Sequence, residues 1–201
     1  MPTLSALQQR KFTALFLHQD KSRNNFLTQE DFLLIADTLS HALNWQQKHP
    51  DTFHIRHAAL EEHLQKFFLR LQSLSDSNHD GQISLAEYLA FMQRQVAECR
   101  AMGLAAPWVK ESTRQILLLL DANASNTLTL EEYEKILQAL GSSANAAQVF
   151  AKMDRDNKGE LTAADLDRLA LEFILSTDED APGNLLYLGQ IDASLAPLPP
   201  K

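Results

Sequence analysis

The sequence predicts an all-α protein of four helix-loop-helix units, paired into two lobes of one compact domain. Three observations lead there. A twelve-residue pattern opening with Asp and closing with Asp or Glu occurs four times: Asp20 to Asp31, Asp76 to Glu87, Asp121 to Glu132 and Asp154 to Asp165. Each copy is followed by apolar residues at helical spacing, and each is preceded by another such stripe.

In chain order, the entering stripes are Phe12, Leu15 and Phe16; Phe68, Leu71 and Leu74; Ile116, Leu117 and Leu120; Val149, Phe150 and Met153. The exiting stripes fall at positions 13, 16, 17 and 20 of each repeat. They read Phe32, Ile35, Ala36 and Leu39; Tyr88, Phe91, Met92 and Gln95; Tyr133, Ile136, Leu137 and Leu140; Leu166, Leu169, Ala170 and Phe173. Gln95 is the single polar residue in these four sets, so each helix has a 3.6-residue stripe to bury.

Loop starts are separated by 56, 45 and 33 residues, which predicts two pairs of unequal spacing. A break at Gly103 to Pro107 divides them, with Pro107 placed to open the helix that runs to Leu120. The expected organisation is residues 1–103 carrying loops 20–31 and 76–87, residues 104–176 carrying loops 121–132 and 154–165, and residues 177–201 folding back on the lobes before a Pro-rich end. The connection from Ser40 to Glu61 predicts a lengthened helix, a turn at His49-Pro50-Asp51 and a second helix.

The loops have the chemistry of a hard cation site. Calcium takes six to eight oxygens, and one tight loop supplies them from positions 1, 3, 5, 7, 9 and 12, with a sharp turn at position 6. Position 6 is Asn25, Gly81, Asn126 and Gly159, the residue types that tolerate positive φ. Position 8 is Leu27, Ile83, Leu128 and Leu161, which predicts a short β-bridge between paired loops.

Ligand sets differ from loop to loop. The second matches D-x-[DN]-x-[DN]-G-x5-E throughout and offers Asp76, Asn78, Asp80, the Gln82 carbonyl and Glu87, so it should bind calcium best. The third offers Asp121, Asn123, Ser125, the Thr127 carbonyl and Glu132, with Thr129 acting through water, and should bind less tightly. The first offers Asp20, Ser22, Asn24, the Phe26 carbonyl and Asp31. Its closing Asp is one methylene short, which suits octahedral magnesium as well as calcium. The fourth has Asp154, Asp156, the Glu160 carbonyl and Asp165, but Lys158 at position 5 brings donors where an acceptor is needed. It is expected to be weak or empty, leaving about three calcium sites.

Composition narrows the rest. Against 18 Lys+Arg stand 26 Asp+Glu, a net charge of −8, which disfavours nucleic acid. The longest apolar run, Ile116 to Leu120, is far too short for a membrane span, and the first dozen residues lack a secretory apolar stretch. With one cysteine, Cys99, the chain reads as a cytoplasmic monomer without disulfides. Cys99 is expected to be half-buried, and Trp45 and Trp108 to be core or interlobe aromatics. No nucleophile elbow, phosphate loop or Cys/His pairing points to an enzyme. Five histidines lie between residues 41 and 63 and invite a second metal site, with His54 and His57 able to share a helix face; without an accompanying carboxylate or Cys constellation, they read as solvated or helix-surface residues.

The four units, their spacing, the Asp closing the first loop and the stretch from Asp178 through Ala181-Pro182-Gly183-Asn184 to Gly189 together resemble the sarcoplasmic calcium-binding proteins and bacterial calerythrin of the EF-hand superfamily, over roughly residues 4 to 190. The resemblance implies a two-lobed helical calcium binder acting as a buffer or signal modulator, with sites that exchange calcium for magnesium. It assigns Asp20, Asp76 and Asp121 to loop openings and Asp31, Glu87 and Glu132 to loop closings. It also implies that Leu185 to Leu188 occupy the groove a sensor would expose. The alternative is a sensor whose apolar surface opens to a protein partner; four methionines, one of them Met1, are few for such a groove.

Overall fold

The computed structural model of the chain describes residues 3–104, 106, 107, 109–111, 113 and 125–191. Trp108, Ile116, Leu117 and Leu120 and the residues after 191 lie outside the described residues. The first unit is α1 (Ala6–Gln19), β1 (Phe26–Leu27) and α2 (Gln29–Ala42); the second is α4 (Phe53–Ser75), β2 (Ile83–Ser84) and α5 (Leu85–Met102). Between them sits the short α3 (Trp45–Lys48). The third loop leads through β3 (Thr127–Thr129) into α6 (Leu130–Ala139), and the fourth unit is α7 (Ala146–Met153), β4 (Glu160–Thr162) and α8 (Ala163–Leu175). A 3₁₀ turn at Pro182–Leu185 follows.

Loops pair through their position-8 residues. Leu27 faces Ile83 in the antiparallel β1–β2 ladder, and Leu128 faces Leu161 in β3–β4. All four side chains are buried, so each bridge joins two loops at the surface of the core.

The exiting stripes form that core. All of Phe32, Ile35, Ala36, Leu39, Tyr88, Phe91, Met92, Gln95, Leu166, Leu169, Ala170 and Phe173 are buried, as are Tyr133 and Leu137, while Ile136 and Leu140 are half-buried. One continuous apolar cluster runs from Phe12 to Leu186 across both loop pairs. The rings of Phe12 on α1 and Phe173 on α8 sit edge-on at 5.8 Å, and Phe173 meets Tyr187 at 4.9 Å.

Residues 181–189 pack against the core. Leu186 and Leu188 are buried, Tyr133 Oη donates to the Leu185 carbonyl at 2.8 Å, and Ser142 Oγ donates to the Leu188 carbonyl at 2.9 Å. Gly183 lies so close to α8 that a Cβ there would stand 2.6 Å from the Leu169 carbonyl and 2.8 Å from the Phe173 nitrogen. The first helix holds the end of α8 and the segment after it: Gln8 Nε2 donates to the Ile174 carbonyl at 3.1 Å, and Lys11 Nζ donates to the Ser176 carbonyl at 2.9 Å and to Asn184 Oδ1 at 3.0 Å. Lys11 is fully buried, and loss of hydration lowers its pKa to about 8 against the opposing pull of Glu172 and Glu179.

Two local expectations are corrected. The helix after the first loop is not lengthened: it ends at Ala42, and Asn44 takes the left-handed conformation at φ 55°. The physical reason is Trp45, 1% exposed, which the break turns into the core. Cys99 is fully buried rather than half-buried, its thiol pKa raised by burial. The turn at His49-Pro50-Asp51 is present.

Candidate metal centres

The first, second and fourth loops begin where a helix ends, and all four close where the next helix begins. Position 9 is the N-cap of the exiting helix, and position 12 is the third residue of that helix. In the second loop Ser84 N and Oγ donate to Glu87 Oε2 at 3.0 and 2.8 Å, and Glu87 N returns a bond to Ser84 Oγ at 3.3 Å. This is a capping box, and it aims the closing carboxylate into the loop. Thr129 and Thr162 hold Oε2 of Glu132 and Oδ2 of Asp165 in the same way. In the first loop Thr28 N and Oγ1 both donate to Asp31 Oδ2 at 2.8 Å. Thr28, Ser84 and Thr162 were not among the sequence candidates, although Ser or Thr three residues before Asp or Glu is a readable cap signal.

The second loop gathers its predicted residues. Gly81, at φ 85°, turns its N–H toward Asp76 Oδ2 at 3.1 Å. Asn78 Nδ2 donates to Asp80 Oδ2 at 2.8 Å, and Gln82 N donates to Asp80 Oδ1 at 2.9 Å. Ser77 N and Oγ donate to Glu87 Oε1 at 3.0 Å. Asp76 Oδ1 is buried and has no hydrogen-bond partner among the described residues. A buried carboxylate oxygen without a donor fits a cation. Burial raises the Glu87 pKa, but the hydrogen bonds from Ser84 and Ser77 outweigh it and bring it to about 2, so this ligand is ionised at neutral pH.

The first loop is wound the same way with shorter acids. Asn24 N and Asn25 N donate to the two oxygens of Asp20 at 3.1 and 2.9 Å, and Asn25 takes φ 68°. Ser22 Oγ lies 3.4 Å from Asp20 Oδ1, and Ser22 N donates to Asp31 Oδ1 at 2.8 Å. Asn24 Oδ1 accepts from Phe26 N at 2.8 Å. Asp20 and Asp31 are both buried. Of the third loop, Asp121 and Asn123 lie outside the described residues; Ser125 Oγ is 2.8 Å from Thr127 Oγ1, and Glu132 is buried.

The fourth loop carries its own cation. Lys158 Nζ donates to Asp165 Oδ2 at 3.0 Å and stands 3.6 Å from Asp156, while Arg168 donates to Asp165 Oδ1 at 3.1 Å. Burial opposes ionisation of Asp165, yet the bonds from Thr162, Lys158 and Arg168 hold it well below the usual carboxylate range. Asp154 accepts from Lys158 N and Gly159 N at 3.0 and 2.7 Å, and Glu160 turns to the neighbouring loop, accepting from Thr127 Oγ1 at 3.0 Å.

Between the loop pairs lies an apolar cavity of about 240 Å³, lined by Phe32, Leu64, Phe91, Tyr133, Phe173 and Tyr187 among others. His18 and Gln19, the last residues of α1, reach it, and His18 Nε2 and Gln19 Oε1 are buried without a partner among the described residues. Burial, reinforced by Lys21, lowers the His18 pKa to about 4.

Comparison with known proteins agrees with this geometry. An EF hand family model matches residues 76–92, the second loop and the start of α5. No curated protein sequence matches the chain. Among solved structures, a sarcoplasmic calcium-binding protein from amphioxus superposes with a TM-score of 0.68 at 20% identity, covering 93% of this chain and 98% of its own. A calcium-binding protein of Streptomyces coelicolor gives 0.65 at 17% identity over 83% and 97% of the two chains. The coelenterazine-binding protein of Renilla muelleri gives 0.65 at 18% identity over 92% and 96%. The chain shares the fold of these calcium-binding proteins, and residues 76–92 match the EF hand model.

Proposed function

We propose that this EF-hand protein is a calcium buffer or signal modulator with about three working sites, in which residues 1–103 and 104–176 form two loop pairs and residues 177–201 close them. The observation that carries calcium binding is the second loop. There Asp76, Asn78, Asp80 and Glu87 converge around the Gly81 turn, and a buried oxygen of Asp76 has no hydrogen-bond partner among the described residues. Asp20, Ser22, Asn24, the Phe26 carbonyl and Asp31 form a site that accepts calcium or magnesium, and Asp121, Asn123, Ser125, the Thr127 carbonyl and Glu132 form a third. Lys158 neutralises the fourth from within. No described helix is long and apolar enough to cross a membrane.

The buffer role rests on Leu186 and Leu188, which already bury the apolar groove that a sensor would open. Calorimetric titration of chelator-stripped protein with calcium, repeated in magnesium, tests the reading. Three sites are expected, one weakened by magnesium and one lost in Glu87→Gln; one site or none would reject it. A large calcium-induced gain in binding of a surface-seeking dye would replace the buffer with a sensor.

The central cavity favours a second reading, a calcium-linked carrier of a small apolar molecule, as the name of the Renilla relative says of that protein. An apolar hole of 150 Å³ holds benzene, so about 240 Å³ accommodates a larger ring system, with His18 and Gln19 supplying two polar contacts. Saturable uptake of a neutral two-ring fluorophore, abolished in Leu64→Trp, would establish it.

A further inference from the structure

The histidine-rich connection folds into an arrangement that the sequence pattern does not reveal. Helices α2 and α4 pack antiparallel: Phe32 near the start of α2 meets Phe67 and Phe68 on α4 at 5.7 and 5.4 Å, and Asp37 further along α2 meets His57 near the start of α4. His57 Nε2 stands 2.9 Å from Asp37 Oδ1, and its Nδ1 stands 3.7 Å from Glu61 Oε2. The sequence pairing of His54 with His57 is therefore corrected: His57 pairs instead with Asp37, brought to it by the packing of the two helices, and with Glu61 one turn along its own helix. His54 instead lies edge-on to Phe53 at 5.3 Å.

We propose that Asp37, His57 and Glu61 form a second kind of metal site, for a late first-row divalent cation such as Zn²⁺, separate from the calcium loops. One ligand atom from each residue lies within 4.8 Å of the others. Zinc binds imidazole nitrogen and carboxylate oxygen at about 2.0 to 2.2 Å, so two of its ligands sit roughly 3 to 3.5 Å apart. The Asp37–His57 separation of 2.9 Å already approaches that spacing, and an ion entering there takes the place of the shared proton. Glu61 lies one turn beyond His57 on the same helix, facing the other ring nitrogen, and with a ligand oxygen within 4.8 Å of the other two ligand atoms it is the third member of the cluster.

The donor set decides the metal. One imidazole with two carboxylates suits zinc and its neighbours, whereas calcium wants oxygens throughout. The site is also anchored. His57 packs on Phe53 at 5.6 Å with its side chain 20% exposed, and the Phe32 contacts hold the two helices together. Asp37 is 54% exposed, which leaves a path for the ion and open positions for water. Because α2 leaves the first loop and α4 enters the second, zinc here ties together the helices that carry both loops.

The test uses the full chain saturated with calcium, so that the loops are filled, and titrates zinc against a chromophoric chelator. One zinc per chain is expected, weakened 10- to 100-fold in His57→Ala and in the shape-preserving Asp37→Asn, and unchanged in His54→Ala. Far-UV circular dichroism confirms that the variants are folded. Cobalt(II) then reads the location, by paramagnetic broadening of the His57 ring signals before those of His41 and His54. No saturable zinc uptake by the calcium-loaded chain, zinc affinity unchanged in His57→Ala, or an equal loss in His54→Ala would each overturn the proposal.

Discussion

Lys158 Nζ lies 3.0 Å from Oδ2 of Asp165, so the fifth residue of the fourth loop donates to the residue that closes it. The ammonium occupies the role of a loop cation, and its own pKa is raised by the bond to Asp165. Arg168 contacts the other oxygen of the same carboxylate. Replacing Lys158 by Asn restores an oxygen ligand and removes the internal positive charge. Calorimetry of Lys158→Asn should count one calcium more than the parent protein. An unchanged count in both Lys158→Asn and the double variant with Arg168→Gln would show that the short Asp165, not the lysine, disables the loop.

Removing calcium should lower the melting temperature. A ligand bound only to the folded state contributes about 2.7 kcal/mol at a hundredfold excess over its dissociation constant. For a chain of this size that is roughly 5 to 10 °C per occupied site. Calorimetric melting with calcium and with chelator measures it. A curve that does not move would mean that the loops are structural turns.

Alkaline pH should stabilise the clasp made by Lys11. Its folded pKa is about 8 against an ordinary 10.5, so between those values the unfolded chain holds more protons than the folded one, and stability rises with pH across that window. Below pH 8 both states carry the charge and this contribution is flat. Lys11→Met should remove the rise and cost about 1 to 3 kcal/mol at neutral pH, because the Ser176 carbonyl and Asn184 Oδ1 lose their donor. Urea unfolding of both proteins at neutral pH and at intermediate values up to about 10 checks the sign. A parent stability that falls through the window by as much as the variant would refute it.

Gly183 should resist substitution for a steric reason. A methyl group at this position meets Glu172 Cβ and the Leu169 carbonyl at 2.6 Å, and the second of these is helix backbone that cannot step aside. Gly183→Ala should lose about 1 to 3 kcal/mol, together with the bond from Gly183 N to Glu172 Oε2, now 2.7 Å. Dye binding should rise as Leu186 and Leu188 lift from the core. Wild-type stability in the variant would mean that the segment is not held against α8.

The parts of the molecule visible in the sequence are those governed by local period. Stripes such as Leu166, Leu169, Ala170 and Phe173 declare a buried helix face, and Leu27 opposite Ile83 follows from loop position alone. The ligand order within each loop is equally local. Contacts between distant helices carry no such signal. Lys11 to Asn184 spans 173 residues, and nothing around Lys11 distinguishes it from a solvated lysine. Asp37 and His57 meet only because α2 and α4 pack side by side. Asn44 and the Ser or Thr at position 9 are intermediate cases, local signals of a left-handed break and a helix cap that the stronger carboxylate pattern overshadows.

The clasp between the first helix and the last segment also orders events during synthesis. Phe12 and Lys11 emerge from the ribosome early, whereas Phe173 and Asn184, the residues that cover them, emerge more than 160 residues later. Until then Phe12 lacks the ring of α8 that covers it and Lys11 lacks its acceptors. The first two loops can wind before that, but the core around Phe12 and Lys11 is completed only once α8 and the segment that carries Asn184 have been made.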